Sequence, residues 1–378
     1  MHYLINLCNQ IGAGPKKLSL QLISELQSHS NLSKKFLIIV PDYMEYKELH
    51  SSENVMFIKI KRFESVLMKA FSRLYFDLFL IPRLVKKYQI SSLLAFGNFL
   101  LSPINIKKIV LLHHPYLFDD DQLSRLGSVK KSIEKLKRVL FSLTLRNTDE
   151  VVVETHYVNK QLSHKWPWFK GKVHIIENPI SWSFASLDQA RLKTIIDNRA
   201  SSLHKSIQII FVSRFYPHKN HIFLCHLSAL LQQHSIQHII KVTVDSSIPE
   251  TKIFLKMIHD QKLPIINLGE IDQKQLSGEY EQAHLMIFPS ESETFGIPLI
   301  EALNFALPVM TPDLDYAKAI LGNAGIYFNR GSTEECLVKL HRLVNNKQNY
   351  IDACHGSHKQ AKRFKRSDQW LEDYLKIL

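Results

Sequence analysis

The chain has 378 residues, a mass of 43.9 kDa, 45% apolar and 22% charged residues, a globular composition too long for one ordinary core and suited to two or three domains. Its 48 basic and 35 acidic residues give +13, split as 26 and 15 (+11) in residues 1–180 and 22 and 20 (+2) in residues 181–378. No apolar run reaches the ~18–20 residues of a spanning helix; the start lacks a secretory signal's basic region and cleavage site; and Cys8, Cys225, Cys336 and Cys354 form no C-x-x-C pair, so a cytoplasmic chain without disulfide framework or thiolate zinc is expected.

In chain order, short aliphatic runs alternate with helix-period segments. LINLCNQ (4–10) leads through Gly12 and Gly14 into the amphipathic LSLQLISELQSH (18–29). Then follow FLIIV (36–40), SLLAF (92–96), KIVLLHH (108–114), EVVVET (150–155) and KVHII (172–176). Continuous aliphatic strands spaced by helices indicate parallel strands buried on both faces. A second series holds IQIIFVS (207–213), HIIKVTV (238–244), PIINLG (264–269), HLMIFPS (284–290), LPVMTP (307–312) and AGIYFN (324–329). Two βα series predict two doubly wound α/β domains. The boundaries expected are residues 1–180, a polar linker at 181–206, and 207–357. A terminal helix over 358–378, striped by Phe364, Trp370, Leu371, Tyr374, Leu375 and Leu378, is expected to rejoin the first domain.

Ligands of open α/β sheets sit beyond the carboxyl ends of the strands, often on helix N-termini, so the loops after the strands carry the functional candidates. Gly12 and Gly14 permit a tight turn and the approach of an anion to backbone N–H groups. The G-x-G-x-x-G fingerprint is incomplete, because Lys17 fills its third position. Arg214 and Lys219 follow IIFVS; they are either a diphosphate clamp or two solvated surface cations. In HLMIFPSESETFGIPLIEALNFALPV (284–309), Phe295-Gly296 turns from a polar loop into a helix with Pro298 in its first turn. The N–H groups around Gly296 and Ile297 then suit an anion. Glu293 and Glu301, eight residues apart, are either acceptors for sugar hydroxyls or ordinary capping chemistry.

The string E-T-F-G-I-P-L-I-E-A, with Arg214 and Lys219 upstream, is similar to the E-x7-E signature of retaining, nucleotide-sugar-dependent glycosyltransferases with the GT-B architecture. Gly12 and Gly14 after the first strand, His113 at a strand end and the Asn178-Pro179 turn fall in the order of that family. The resemblance implies two Rossmann-like domains facing across a cleft, and a retaining, metal-independent transfer of a sugar from a nucleotide diphosphate sugar to a glycan or lipid-linked saccharide, in bacterial surface polysaccharide assembly. It implies that Glu301 holds ribose hydroxyls, that Glu293 and His113 contact the transferred sugar, that the amides near Phe295, Gly296 and Ile297 support sugar and phosphate, that Arg214 and Lys219 neutralise the leaving diphosphate, and that Gly14 lets the first loop close over it. His114 takes the variable slot beside His113. No cofactor and no metal site are implied; Asp119-Asp120-Asp121 reads as a helix cap rather than a D-x-D metal loop. Ala306 departs from the pattern, standing where a glycine is common.

The basic excess lies in segments 59–89 and 127–146, where lysines and arginines are mixed with Phe, Leu, Val and Tyr. An anionic membrane surface is the partner expected for that half. A nucleotide-sugar epimerase is the alternative within the same architecture. A nucleic-acid-binding protein is the distant one, without a helix-turn-helix, zinc or aromatic-ribbon motif to support it.

Overall fold

A computed structural model describes residues 2–29, 34–61, 72–180, 184 and 187–378. The chain divides into two compact units, Met1–Pro179 with Arg366–Leu378, and Ile180–Lys365.

The first unit is built on a seven-stranded sheet of β1 (His2–Asn6), β2 (Lys35–Pro41), β3 (Val55–Ile60), β4 (Ile90–Ala95), β5 (Lys107–Leu112), β6 (Glu150–Val153) and β7 (Lys172–Ile175), in the order β3-β2-β1-β4-β5-β6-β7. All its pairings are parallel. The second unit holds β8 (Ile207–Phe211), β9 (His238–Val242), β10 (Ile265–Asn267), β11 (Leu285–Ile287), β12 (Val309–Pro312) and β13 (Gly325–Phe328), in the order β10-β9-β8-β11-β12-β13, again parallel throughout. These are the two doubly wound sheets expected from the aliphatic runs, with full burial at their centres: Leu93, Ile109, Val151 and Leu111 in one, Ile210, Leu285, Met286 and Val309 in the other. In each sheet the strand order reverses beside the first strand, between β1 and β4 and between β8 and β11. Loops diverge there and leave a crevice at the strand ends.

Two expectations need correction. Residues 181–206 are not all linker: Gln189–Ser202 is a helix, capped by Asp188, whose side chain accepts from the Arg191 N–H. Its few apolar residues sit on one face, burying Leu192, Ile195, Ile196 and Ala200. Arg199 is buried on the same helix, where its guanidinium donates to the carbonyls of Tyr280, Glu281, Phe305 and Ala306. A buried cation whose donors all find carbonyl acceptors is a tether rather than a solvated residue.

The terminal segment is likewise two helices, Lys347–Ala361 and Ser367–Ile377. Phe364, between them, meets Phe295 edge to face at 6.1 Å in the second unit. Trp370, Leu371, Tyr374 and Ile377 are buried in the first unit, with Phe96 against Trp370 and Tyr374. Lys107 and Ser92 bind the last two carbonyls, of Ile377 and Leu378. The apolar stripe read from the sequence is thus shared between two bodies, and the break falls where the chain passes from one to the other.

Candidate functional site

In the second unit, the loops after β8 and β11 leave at the reversal point and are stitched together. After β8, the turn Pro217–Lys219 ends at Asn220 in the left-handed conformation (φ 51°), and the helix His221–Gln233 follows. After β11, the Glu291 N–H donates to the His218 carbonyl at 2.7 Å, and the Asn220 amide donates to the Glu291 carboxylate at 3.3 Å. Arg330 completes the hold on Glu291 from beyond β13, at 2.7 Å. Lys219 reaches across to Glu293, Nζ to Oε1 at 2.5 Å, and the Ser290 hydroxyl donates to the same oxygen at 2.7 Å. Both members of the pair are largely buried, and the ammonium also lies 5.6 Å from the centre of the Phe288 ring. Arg214 is held by Glu270 at 2.7 Å.

The helix Ile297–Asn304 begins at Gly296, where φ is +86° and ψ 63°. A Cβ there would stand 3.0 Å from the Leu299 Cδ1, so both the backbone and the space favour glycine. Pro298 lies in the first turn, where it needs no N–H partner. Phe295 is buried, so this residue anchors the turn through its ring. Glu301 is 3% exposed and accepts from the Tyr280 hydroxyl at 2.9 Å. Burial and the adjacent Glu301 charge hold the Tyr280 phenol protonated, well above its ordinary value. The Tyr316 hydroxyl donates to the Ser290 carbonyl, and its phenol is raised by burial and by Glu293. Ala306, the departure noted from the sequence, adopts φ +51° just after this helix, the left-handed conformation that glycine takes without cost.

The first unit holds the other candidates. Gly12 caps the helix Ala13–Ser28 with φ −69° and ψ 156°, a conformation open to any residue, and a Cβ there would meet only Pro15 at 3.5 Å. Gly14 lies in the first turn of the same helix. The expectation that Gly12 serves a tight turn therefore does not hold for its backbone. Gln10, in the loop before it, donates to the Phe96 carbonyl and leaves a buried Oε1 without a hydrogen-bond partner among the described residues.

His113 follows β5, and its N–H donates to the Asn98 side chain at 2.8 Å. Burial, with His114 adding to it, lowers the His113 imidazole to about 4. It is therefore neutral near pH 7 and free to donate or accept. His114 instead bonds Glu134 at 2.7 Å. Burial acts to raise that carboxyl, but the partners His114 and Lys137 outweigh it and leave it below its usual value. Asp119 caps the short helix Asp120–Ser124, while Asp120 pairs with Arg138 and Lys165, so the acidic run serves as a cap and an ion-pair partner.

Sequence reasoning did not include Tyr280, Tyr316, Ser290, Glu270, Asn98 or Arg330 in the site. All but Ser290, which lies three residues before Glu293, are far in sequence from the group they hold, and nothing local marks them.

Residues 193–364 match the family described as glycosyl transferases group 1. Over 91 residues the chain is 31% identical to the sulfoquinovosyl transferase SQD2 of Arabidopsis thaliana, covering 23% of this chain and 18% of the plant protein. Over 195 residues it is 23% identical to the O-antigen chain mannosyltransferase RfbU of Salmonella typhimurium, 51% of this chain and 50% of that protein. The matched stretches thus span about a fifth and a half of these relatives. Among solved structures, sucrose-phosphate synthase of Thermosynechococcus elongatus superposes with a TM-score of 0.76 at 13% identity, covering 100% of this chain and 98% of the other. HepE of Anabaena, solved in complex with UDP and glucose, gives 0.68 at 15% identity, with 100% and 99% covered. The protein has the GT-B fold, and over residues 193–364 it carries a domain of the glycosyl transferases group 1 family.

Proposed function

We propose that the protein is a retaining glycosyltransferase that needs no metal and moves a sugar from a nucleotide diphosphate sugar to a glycan or lipid-linked saccharide. The observation that carries this reading is the group of charged side chains on the two loops at the β8/β11 reversal: Lys219 beside Glu293, with Arg214 after β8 and Glu301 fixed by Tyr280. In the reaction, the bond between the sugar's anomeric carbon and the diphosphate oxygen breaks, and its electrons pass to the leaving phosphate. The acceptor hydroxyl attacks from the same face, and its proton goes to that phosphate. Lys219 and Arg214 turn from their carboxylate partners to the developing negative charge, which preorganised cations stabilise more than the ground state. Glu293, released by Lys219, accepts from sugar hydroxyls, and Glu301 accepts from the ribose. His113 is the neutral contact to the sugar. Mannosyl transfer to an O-antigen chain, named for the Salmonella relative, supports surface polysaccharide assembly as the setting.

The test is a thermal-shift screen against UDP, GDP, ADP, TDP and their sugars, followed by transfer assays with and without a chelator. The anomeric configuration of the product is read by NMR. One nucleotide should raise the melting temperature. Glu301→Ala should lower turnover by about tenfold or more, the loss of ~1.5–3 kcal/mol of charge-assisted hydrogen bonding. No stabilising nucleotide, an inverted product, or donor alone converted to an epimer overturns the reading.

A further inference from the structure

The helix Ser128–Arg146 has two apolar faces. One is buried through Phe141 and Leu145, with Phe141 packed against Phe99 and Trp166. The other faces solvent: Val129 is 75% exposed, Ile133 48%, Leu136 59%, Val139 57% and Leu143 44%. At about 100° per residue these five fall within an arc of roughly 120°. An outward helix face is ordinarily polar, and large exposed apolar patches mark interaction sites.

The cations border this stripe on both sides. Lys135 and Arg146 project along one edge of the helical wheel, and Lys130 and Lys137 along the other. Lys135 has no side-chain partner among the described residues. A second group, Leu74, Tyr75, Leu78 and Phe79, is 42–54% exposed on the helical segment 72–88. That segment and the helix Ser128–Arg146 are both tied to the same loop: Leu101 donates to Asp77, and Leu100 to Thr144.

We infer that the outer face of Ser128–Arg146 seats the protein on an anionic lipid bilayer, with Val129, Ile133, Leu136, Val139 and Leu143 entering the headgroup boundary and the flanking cations meeting lipid phosphates. An apolar stripe edged by lysine and arginine is the chemistry of an interfacial helix. A second copy of this chain fits the face less well, because a two-fold pairing sets the same cations opposite one another, in a half-chain that already carries +11 (26 basic, 15 acidic).

The experiment is flotation of the full chain with vesicles of phosphatidylcholine alone or with about one third phosphatidylglycerol, at low and high salt. No donor or acceptor is present, so the result is independent of the proposed transfer. The chain should float with the anionic vesicles and lose binding at high salt. Ile133→Ser/Leu136→Ser should weaken partitioning by roughly tenfold or more. Lys135→Gln/Arg146→Gln should weaken it for anionic vesicles only. Both double variants change exposed side chains, and unchanged circular dichroism and melting temperature verify the fold. Binding to anionic vesicles no stronger than to phosphatidylcholine, or equal binding by wild type and the serine variant, overturns the inference. So does a concentration-dependent dimer abolished by Ile133→Ser/Leu136→Ser without vesicle binding, or retention by duplex DNA that is indifferent to those substitutions.

Discussion

Lys219 is proposed to serve two states, and a substitution separates them. In the structure its ammonium and the Ser290 hydroxyl both bind Glu293 Oε1, at 2.5 and 2.7 Å. The side chains of Lys219 and Glu293 are only 14% and 10% exposed. Lys219→Met removes the cation and keeps most of the apolar stem, leaving a nearly buried carboxylate with Ser290 as its remaining side-chain donor. Breaking a fully buried pair from one side costs about 3–5 kcal/mol, and partial exposure reduces this to about 3 kcal/mol. For a unit of this size that is a fall of roughly 6–12 °C in melting temperature. Lys219→Met/Glu293→Gln, which removes both charges, should recover most of the loss. Sugar transfer should stay low in both variants, because the cation for the leaving diphosphate is missing in each. The assay is differential scanning calorimetry of the three proteins alongside their turnover. A melting temperature unchanged in Lys219→Met, or a double variant no more stable than the single one, would refute the argument from the buried pair. Wild-type turnover in either variant would remove Lys219 from the mechanism.

The two glycines should separate in the same measurements. Gly296→Ala forces φ +86° on an alanine and brings its Cβ to 3.0 Å from Leu299, a cost of about 1–2 kcal/mol, whereas Gly12→Ala should change stability by only ~0.5 kcal/mol yet lower donor affinity, as measured by nucleotide titration. On the acid side, His284 accepts the Gln208 N–H at Nδ1 and shares its Nε2 proton with Ser202; burial and the Arg199 charge lower its imidazole from 6.5 to about 4. The unfolded chain therefore binds the proton first, so this contribution to stability is complete above pH 6.5 and is lost as the pH falls towards 4. His284→Gln should flatten that slope in unfolding midpoints followed against pH, and an unchanged slope would count against His284 as its source.

The sheets were legible because both faces of a parallel sheet are buried, so strands such as KIVLLHH and IQIIFVS are aliphatic without interruption. β3 was missed for the opposite reason. Val55–Ile60 is an edge strand in which only Val55 is fully buried, and its Lys59 reads as part of a basic segment. The helix Gln189–Ser202 looked like linker because its apolar residues are sparse and its main anchor is a buried arginine. Arg199 holds the second unit through carbonyls of residues 280, 281, 305 and 306, and no local pattern distinguishes such an arginine from a solvated one. In the site, Glu293, Gly296 and Glu301 were visible because they lie on one continuous loop and helix. Tyr280 and Glu270 were not, because a long-range hydrogen bond leaves no periodicity.

The charge asymmetry divides along the same line. In the second unit the cations near the reversal point are balanced one by one, Arg214 by Glu270, Lys219 by Glu293 and Arg330 by Glu291. Each is a neutral pair, so a near-zero net charge is compatible with the proposed diphosphate site. In the first unit Lys137 and Arg138 along Ser128–Arg146 pair with Glu134 and Asp120, whereas Lys135, beside exposed Val139, has no side-chain partner among the described residues. A small anion does not need exposed leucine and valine beside its cations, whereas a surface both charged and apolar does. Net charge alone does not separate these cases; the pairing of each cation and the hydrophobicity of its neighbours do.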